Sequence, residues 1–273
     1  MAQTTKIIDS HLHIFKPSQL SYHWLSSDSL LFRDIELTDI EEAMTSEGIS
    51  GAVLVEATNT REEIAFLLDV AEKYPLNLAV IGWLDINDAL FAEHLAMYAE
   101  NPYFSGIRIN CFESFSLTQT QYKAVELLEE SGLVVDVLMN PALIDDVIAI
   151  ATQFAEMNFV LNHFAGIPVR EIQSDSWQEA LEKLAHCRNI ILKISHDVWA
   201  VDLPPVLDDL IDLFGIGRLL VGTNFPMFIE ETNYSTVCRS LIEATTHLDD
   251  AAQSAILHDN AVRIYKIKSG AST

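Results

Sequence analysis

Residues 6–15 read Lys6-Ile7-Ile8-Asp9-Ser10-His11-Leu12-His13-Ile14-Phe15, a short apolar run that closes on two histidines two positions apart. An open doubly wound sheet places a glycine-rich turn after its first strand to hold phosphates. Here that turn is Asp9-Ser10-His11-Leu12-His13, and nucleotide binding is not expected. Further apolar or β-branched runs begin at Gly51 (GAVLVEA), Asn77 (NLAVIGWL), Ser105 (SGIRIN), Leu133 (LVVDVLM), Asn158 (NFVLNHF), Ile190 (IILKIS) and Arg218 (RLLVGTN). Their near-continuous hydrophobicity, without polar alternation, is that of strands covered on both faces, and so of a parallel sheet.

Between these runs apolar residues recur at helical spacing over 40–47, 62–73, 90–100, 122–131, 144–156, 177–186, 206–214 and 237–246. Strand then helix, repeated around the chain, predicts an α/β fold of one domain spanning 1–273, a (β/α)8 TIM barrel. Gly48, Gly132 and Gly215 each follow a periodic stretch and are expected to cap helices with φ above zero. Asp249 is placed to cap a last helix. Residues 15–34 lengthen the first connection and carry Pro17, Tyr22, His23, Trp24 and Phe32. That segment is expected over the barrel mouth, as a lid or as aromatic packing on the rim.

Sixteen Lys and Arg against forty Asp and Glu leave a net charge of −24 on 273 residues. Such a field repels nucleic-acid phosphates and anionic lipid, so neither partner is expected. No apolar run approaches the roughly 18 residues needed to span a bilayer. Cys111, Cys187 and Cys238 are odd in number and form no C-x-x-C pair, which suits a reducing compartment and a cytoplasmic protein.

In a parallel barrel the C-terminal strand ends form the active face, and residues two apart on a strand point the same way. His11 and His13 therefore enter the mouth together as candidate metal ligands, and His163, ending the sixth run, faces the same cavity as ligand or proton carrier. Arg108 ends the fourth run and offers a planar fork for a substrate carboxylate or carbonyl, or pairs with Glu56 at the end of the second. Trp83 ends the third and is an apolar wall or a core aromatic. Asn224 ends the eighth, where hydrolytic barrels need a carboxylate to take a proton from water. An amide has no useful basicity. His196, beyond the seventh run, is a replacement base if its ring turns inward.

The motifs DSHLHIF at 9–15, GIR at 106–108, NHFAGIP at 162–168, KIS at 193–195, GTNFP at 222–226 and NAVRIY at 260–265 together resemble the amidohydrolase-related family, over nearly the whole chain. That family contains sugar-lactone hydrolases, a pyrone-dicarboxylate lactonase and metal-dependent aromatic-acid decarboxylases. The resemblance implies a pocket built on His11, His13 and His163 with Arg108 in substrate recognition. Two departures stand out. The family's usual Gly-Ser-Asp-Trp-Pro is Gly-Thr-Asn-Phe-Pro here, and the decarboxylases' strand-five histidine is replaced by Leu138-Met139-Asn140.

The resemblance thus implies a hydrolase acting on a small lactone or related ester. The catalytic set is His163, Asn224 and His196, and the substrate contacts are Arg108, Glu56 and Trp83. One divalent ion, most naturally zinc, is expected on His11, His13 and His163, or else metal-free operation. Two alternatives stand beside it: a barrel that has lost turnover and binds a small molecule or a protein, and a metal-dependent decarboxylase. Family analogy adds a homodimer.

Overall fold

Each of the eight apolar runs forms a strand in the computed structural model, which describes residues 6–113 and 116–268. The strands are β1 (Ile7–Leu12), β2 (Ile49–Val55), β3 (Asn77–Gly82), β4 (Phe104–Cys111), β5 (Val134–Met139), β6 (Phe159–Leu161), β7 (Ile190–Ile194) and β8 (Leu219–Val221). They lie in the order β1 to β8, every neighbouring pair parallel. The interleaved helices are α1 (Glu41–Ser46), α2 (Arg61–Lys73), α3 (Phe91–Tyr98), α4 (Gln119–Glu130), α5 (Ile144–Gln153), α6 (Asp175–His186), α7 (Leu203–Phe214) and α8 (Tyr234–Thr245). This is the single-domain (β/α)8 barrel expected from the repeat of strand and helix.

Local chemistry places the helix ends. Thr118 and Gln121 form a reciprocal capping box at the start of α4, which satisfies two N–H groups that the first turn leaves without partners. Pro204 and Pro205 sit in the first turn of α7, where a missing N–H costs nothing. That helix therefore starts at Leu203, ahead of the periodic stretch. Gly48, Gly132 and Gly215 have φ of 76°, 62° and 73°. Asp249 accepts from Ala252 N at the head of α9 (Asp250–Ser254), which continues through a π-helical stretch (Ala255–Asp259) into α10 (Asn260–Ile264).

Closure between β1 and β8 uses few ladder bonds and one buried carboxylate. Leu12 bridges Phe225 in parallel, and Asn224 N donates to His11 O at 2.8 Å. The Asp9 carboxylate accepts from Thr223 N (2.8 Å), Thr223 Oγ1 (2.7 Å) and Tyr234 Oη (3.0 Å). Burial pushes its pKa up in spite of these bonds.

Inside the barrel Ile8, Val53, Ala79, Val134, Val160, Ile191 and Leu220 pack with Ala261, Ile264, Tyr265 and Ile267. The chain's last helical segment thus plugs the end of the barrel opposite the mouth, and the interior is a filled core rather than a pore. Above this apolar floor Lys193 Nζ donates to Asp136 Oδ2 at 2.6 Å, Tyr265 Oη donates to Asp136 Oδ1 at 2.9 Å, and Lys193 lies over the Tyr265 ring. All three side chains are fully buried.

Candidate active site

A cavity of about 530 Å³ opens at the C-terminal strand ends, bordered by His13, Arg108, His163, His196, Asn224 and Asn110 on its polar side. Phe15, Trp24, Phe112, Leu138 and Met227 form its apolar side. Residues 15–34 thus contribute Phe15 and Trp24 to the wall. Trp24 Nε1 donates to Ala57 O at 2.6 Å and Thr58 Oγ1 to Ser21 O at 2.8 Å, clipping the segment to the turn after β2. Tyr22 packs inward, while His23 and Phe32 are exposed.

His11 lies at the bottom of the mouth, fully buried. Gly222 makes room for it, since a Cβ at 222 would stand 2.6 Å from His11 Cβ. His13 Nδ1 donates to Val55 O at 2.8 Å, which leaves its Nε2 with a lone pair. Lys193, held by Asp136, donates to His11 Nδ1 at 3.3 Å. The consistent assignment then puts the His11 proton on Nε2, donated to His13 Nε2 at 3.1 Å. Burial first, and for His11 then Lys193 and for His13 then Arg108, hold both imidazoles neutral, His13 at a pKa of about 3.

His163 caps β6 with its ring 4.6 Å from that of His11, centroid to centroid, and its Nδ1 lies 2.8 Å from Ser195 Oγ. Burial, followed by the neighbouring His196 and Arg108, holds its pKa well below the usual histidine range. His196 does turn inward. Its Nδ1 accepts from Asn224 Nδ2 at 3.1 Å, and its Nε2 faces Asp197 Oδ2 at 3.6 Å. His163, Phe164, Ala165, His196, Asp197 and Asn224 all have φ between 53° and 68°. L-residues other than Asn rarely adopt that region, and such strain concentrates where geometry serves a function.

Two expected substrate contacts are placed differently. Glu56 pairs with Arg108 (Nε to Oε1, 2.6 Å) and is fully buried behind it, so it holds the guanidinium instead of bordering the cavity. Trp83 is half-buried and lines an adjoining recess of about 210 Å³ that meets the main cavity at Asn59, Arg108 and Asn110. The expected three-histidine zinc site also meets an obstacle. The Nε2 atoms of His11 and His13 lie 3.1 Å apart, and Lys193 Nζ stands 3.3 Å from His11 Nδ1. Among the described residues no three His, Cys, Asp or Glu side chains are placed to hold a metal ion.

Lys193, Asp136, Ser195 and Asp197 were not singled out as site residues by the sequence reading. For Lys193 and Asp136 the signal was a single charge inside each of two otherwise apolar strands.

The sequence profile of the Amidohydrolase family matches residues 8–267. The chain belongs to the amidohydrolase family. Among its relatives, the L-fucono-1,5-lactonase of Burkholderia ambifaria is 26% identical over 233 residues, covering 81% of this chain and 80% of that one. The L-fucono-1,5-lactonase of Burkholderia multivorans is 26% identical over 290 residues, covering 95% and 96%. An amidohydrolase from Burkholderia multivorans, solved in two crystal forms, superposes with TM-scores of 0.84 at 24% identity and 0.82 at 25% identity. Each covers 96% of this chain and 100% of the other, and the second form holds zinc. This amidohydrolase is a hydrolase with the family's barrel and a mouth in which asparagine occupies position 224. The three cysteines are free, and no described helix is long and apolar enough to cross a membrane.

Proposed function

We propose that this amidohydrolase opens a small lactone, the internal ester of a sugar acid or related hydroxy acid, by attack of water in the barrel mouth. The observation that carries the reading is the setting of Arg108. Its Nε is fixed by Glu56 while the remaining guanidinium N–H groups make no hydrogen bond among the described residues and border the cavity. Preorganised donors aimed at a developing oxyanion lower the barrier most when they need no rearrangement, and the Arg108–Glu56 pair is already set. Arg108 receives the carbonyl oxygen. His163, kept neutral and oriented by Ser195, offers its other nitrogen to the reacting group or water. Phe15, Trp24 and Met227 cover the apolar side of the ring, and the names of the two relatives support a lactone as the ester. Cytoplasmic residence, suggested by the unpaired thiols, belongs to the same reading.

The hydrogen-bonding of His11 and His13 supports turnover without a metal. A lactone panel followed by proton release at constant pH, with and without chelator, tests both points. Turnover that survives chelation is expected. Asn224 favours a second reading, a binding protein that has lost turnover. Silence across the panel from a folded protein, with activity appearing in Asn224→Asp, would establish that reading instead. A decarboxylase is disfavoured by Leu138, which stands on the cavity wall near where a strand-five histidine would reach.

A further inference from the structure

The cavity has an acid–base inventory that leaves one choice. Among the described residues bordering it there is no aspartate or glutamate. Its titratable groups are Arg108, His13, His163 and His196. Arg108 is a permanent cation. His13 is buried with Nδ1 taken up by Val55 O and Nε2 by His11 Nε2, and His163 is part-buried with Nδ1 taken up by Ser195 Oγ. His196 differs in its surroundings: its side chain is 52% exposed, and a carboxylate, Asp197, faces one edge of the ring. Asn224 faces the other edge, at the strand-eight position where a carboxylate would stand in the wider family pattern.

We propose that the pair His196 and Asp197 has taken over the water-activating role that Asn224 cannot perform, with His196 the general base and Asp197 a positioning residue. The inference rests on the lactonase reading. The left-handed backbone at both residues, φ 68° and 53°, turns the ring back over the mouth. Asn224 Nδ2 donates to His196 Nδ1, so the lone pair of Nδ1 points at the amide and the ring proton sits on Nε2, toward Asp197. A water entering between amide and ring accepts the Asn224 N–H and donates to Nδ1. The charged and titratable groups around the ring are Asp197 on its own turn, His163 after β6, whose ring centroid is 5.4 Å away, and Arg108 of β4 on the same cavity.

In the forward step the water oxygen bonds to the lactone carbonyl carbon as its proton passes to His196 Nδ1, and the carbonyl π pair becomes an oxyanion held by Arg108. The oxyanion then collapses, the ring C–O bond breaks, and the imidazolium returns the proton to the departing alkoxide oxygen. The products are an alcohol and a carboxylic acid, which ionises. Nothing is oxidised or reduced, and Asp197 keeps its charge throughout while offsetting the imidazolium.

The test is the pH dependence of kcat/KM on a lactone that the wild type hydrolyses, for wild type, His196→Gln, Asp197→Asn and the double variant His196→Gln/Asn224→Asp. Loss of a general base is expected to lower kcat of His196→Gln about 100-fold with KM within a few-fold. Asp197→Asn is expected to lose about 5-fold in kcat with KM within a few-fold, as a positioning residue would. The double variant, with a carboxylate restored at 224, is expected to recover at least 10-fold over His196→Gln, with its acid limb displaced toward the carboxylate range. His196 is half exposed and lies outside the core, and circular dichroism checks each variant's fold. Retention by His196→Gln of turnover within 3-fold of wild type overturns the assignment, as does a double variant that recovers nothing. A wild type silent on every lactone overturns the lactonase reading and this inference together, whereas turnover insensitive to position 196 overturns this inference alone.

Discussion

The two ends of the barrel interior handle buried polarity in opposite ways. Toward the floor, Asp136 accepts from Lys193 and from Tyr265 on separate oxygens, and Lys193 divides its donors between Asp136, His11 and the Tyr265 ring face. At the mouth, Asn162 is fully buried with neither amide atom hydrogen-bonded, Glu56 Oε2 has no partner, and Arg108 has donors to spare. Six left-handed residues, none of them glycine, surround this second region. A closed network adds order and gives a substrate nothing to bind. An open one costs stability and leaves groups ready for a ligand. The floor should thus govern folding and the mouth turnover.

The largest expected effect is at the floor. Lys193→Met leaves Asp136 charged in full burial with Tyr265 as its remaining donor, and breaking a buried pair typically costs about 3–5 kcal/mol. Urea denaturation checks this, and a loss under 1 kcal/mol would show that the floor is not a stability device. Next, Arg108→Lys keeps a cation beside Glu56 but removes the planar fork. A fall in kcat/KM of about 100-fold is expected with little change in urea midpoint, in line with deletion of one oxyanion donor. Equal losses of rate and stability would erase the contrast.

An intermediate effect belongs to Glu63, which supports the mouth from behind. Its Oε2 accepts from Ala57 N and Thr58 N, yet burial raises its pKa from 4.5 to about 8. Between those values the folded chain holds more protons than the unfolded one. Stability from this group is therefore full below about 4.5 and lost as pH rises through 8. Glu63→Gln should flatten that decline in denaturation curves taken across the window. The smallest expected effect is Tyr265→Phe, which removes one donor from Asp136 and costs about 1–2 kcal/mol in thermal or urea melts. Turnover should stay at the wild-type level, since the hydroxyl lies on the far side of Lys193 from the cavity.

Much of the mouth was legible because barrel geometry turns position along a strand into position in space. His11, His13, Arg108, His163 and Asn224 each end an apolar run, and each lies at the mouth, with His196 just beyond β7 turned inward as well. The roles were less legible than the places. Glu56 read either as a substrate contact or as the partner of Arg108, and it is the second, the brace behind Arg108. Trp83 ends its strand as expected but faces the side recess. The neighbour of His11 was not legible either: Lys193 sits in a run otherwise read as strand packing. A charge in a strand covered on both faces must find a partner, yet its partner Asp136 is 57 positions away and His11 is 182.

By itself, then, the order of residues determined the eightfold alternation of strand and helix, the caps at Gly48, Gly132, Gly215 and Asp249, and which polar side chains reach the mouth. These follow from periodicity and backbone preference, which act over a few residues. Only the folded barrel decided which proton sits on which imidazole, that Glu56 serves Arg108, and that Asp197 stands behind His196. Such properties depend on neighbours brought together by closure of the sheet, where a few ångströms and the loss of water set both hydrogen-bond direction and basicity.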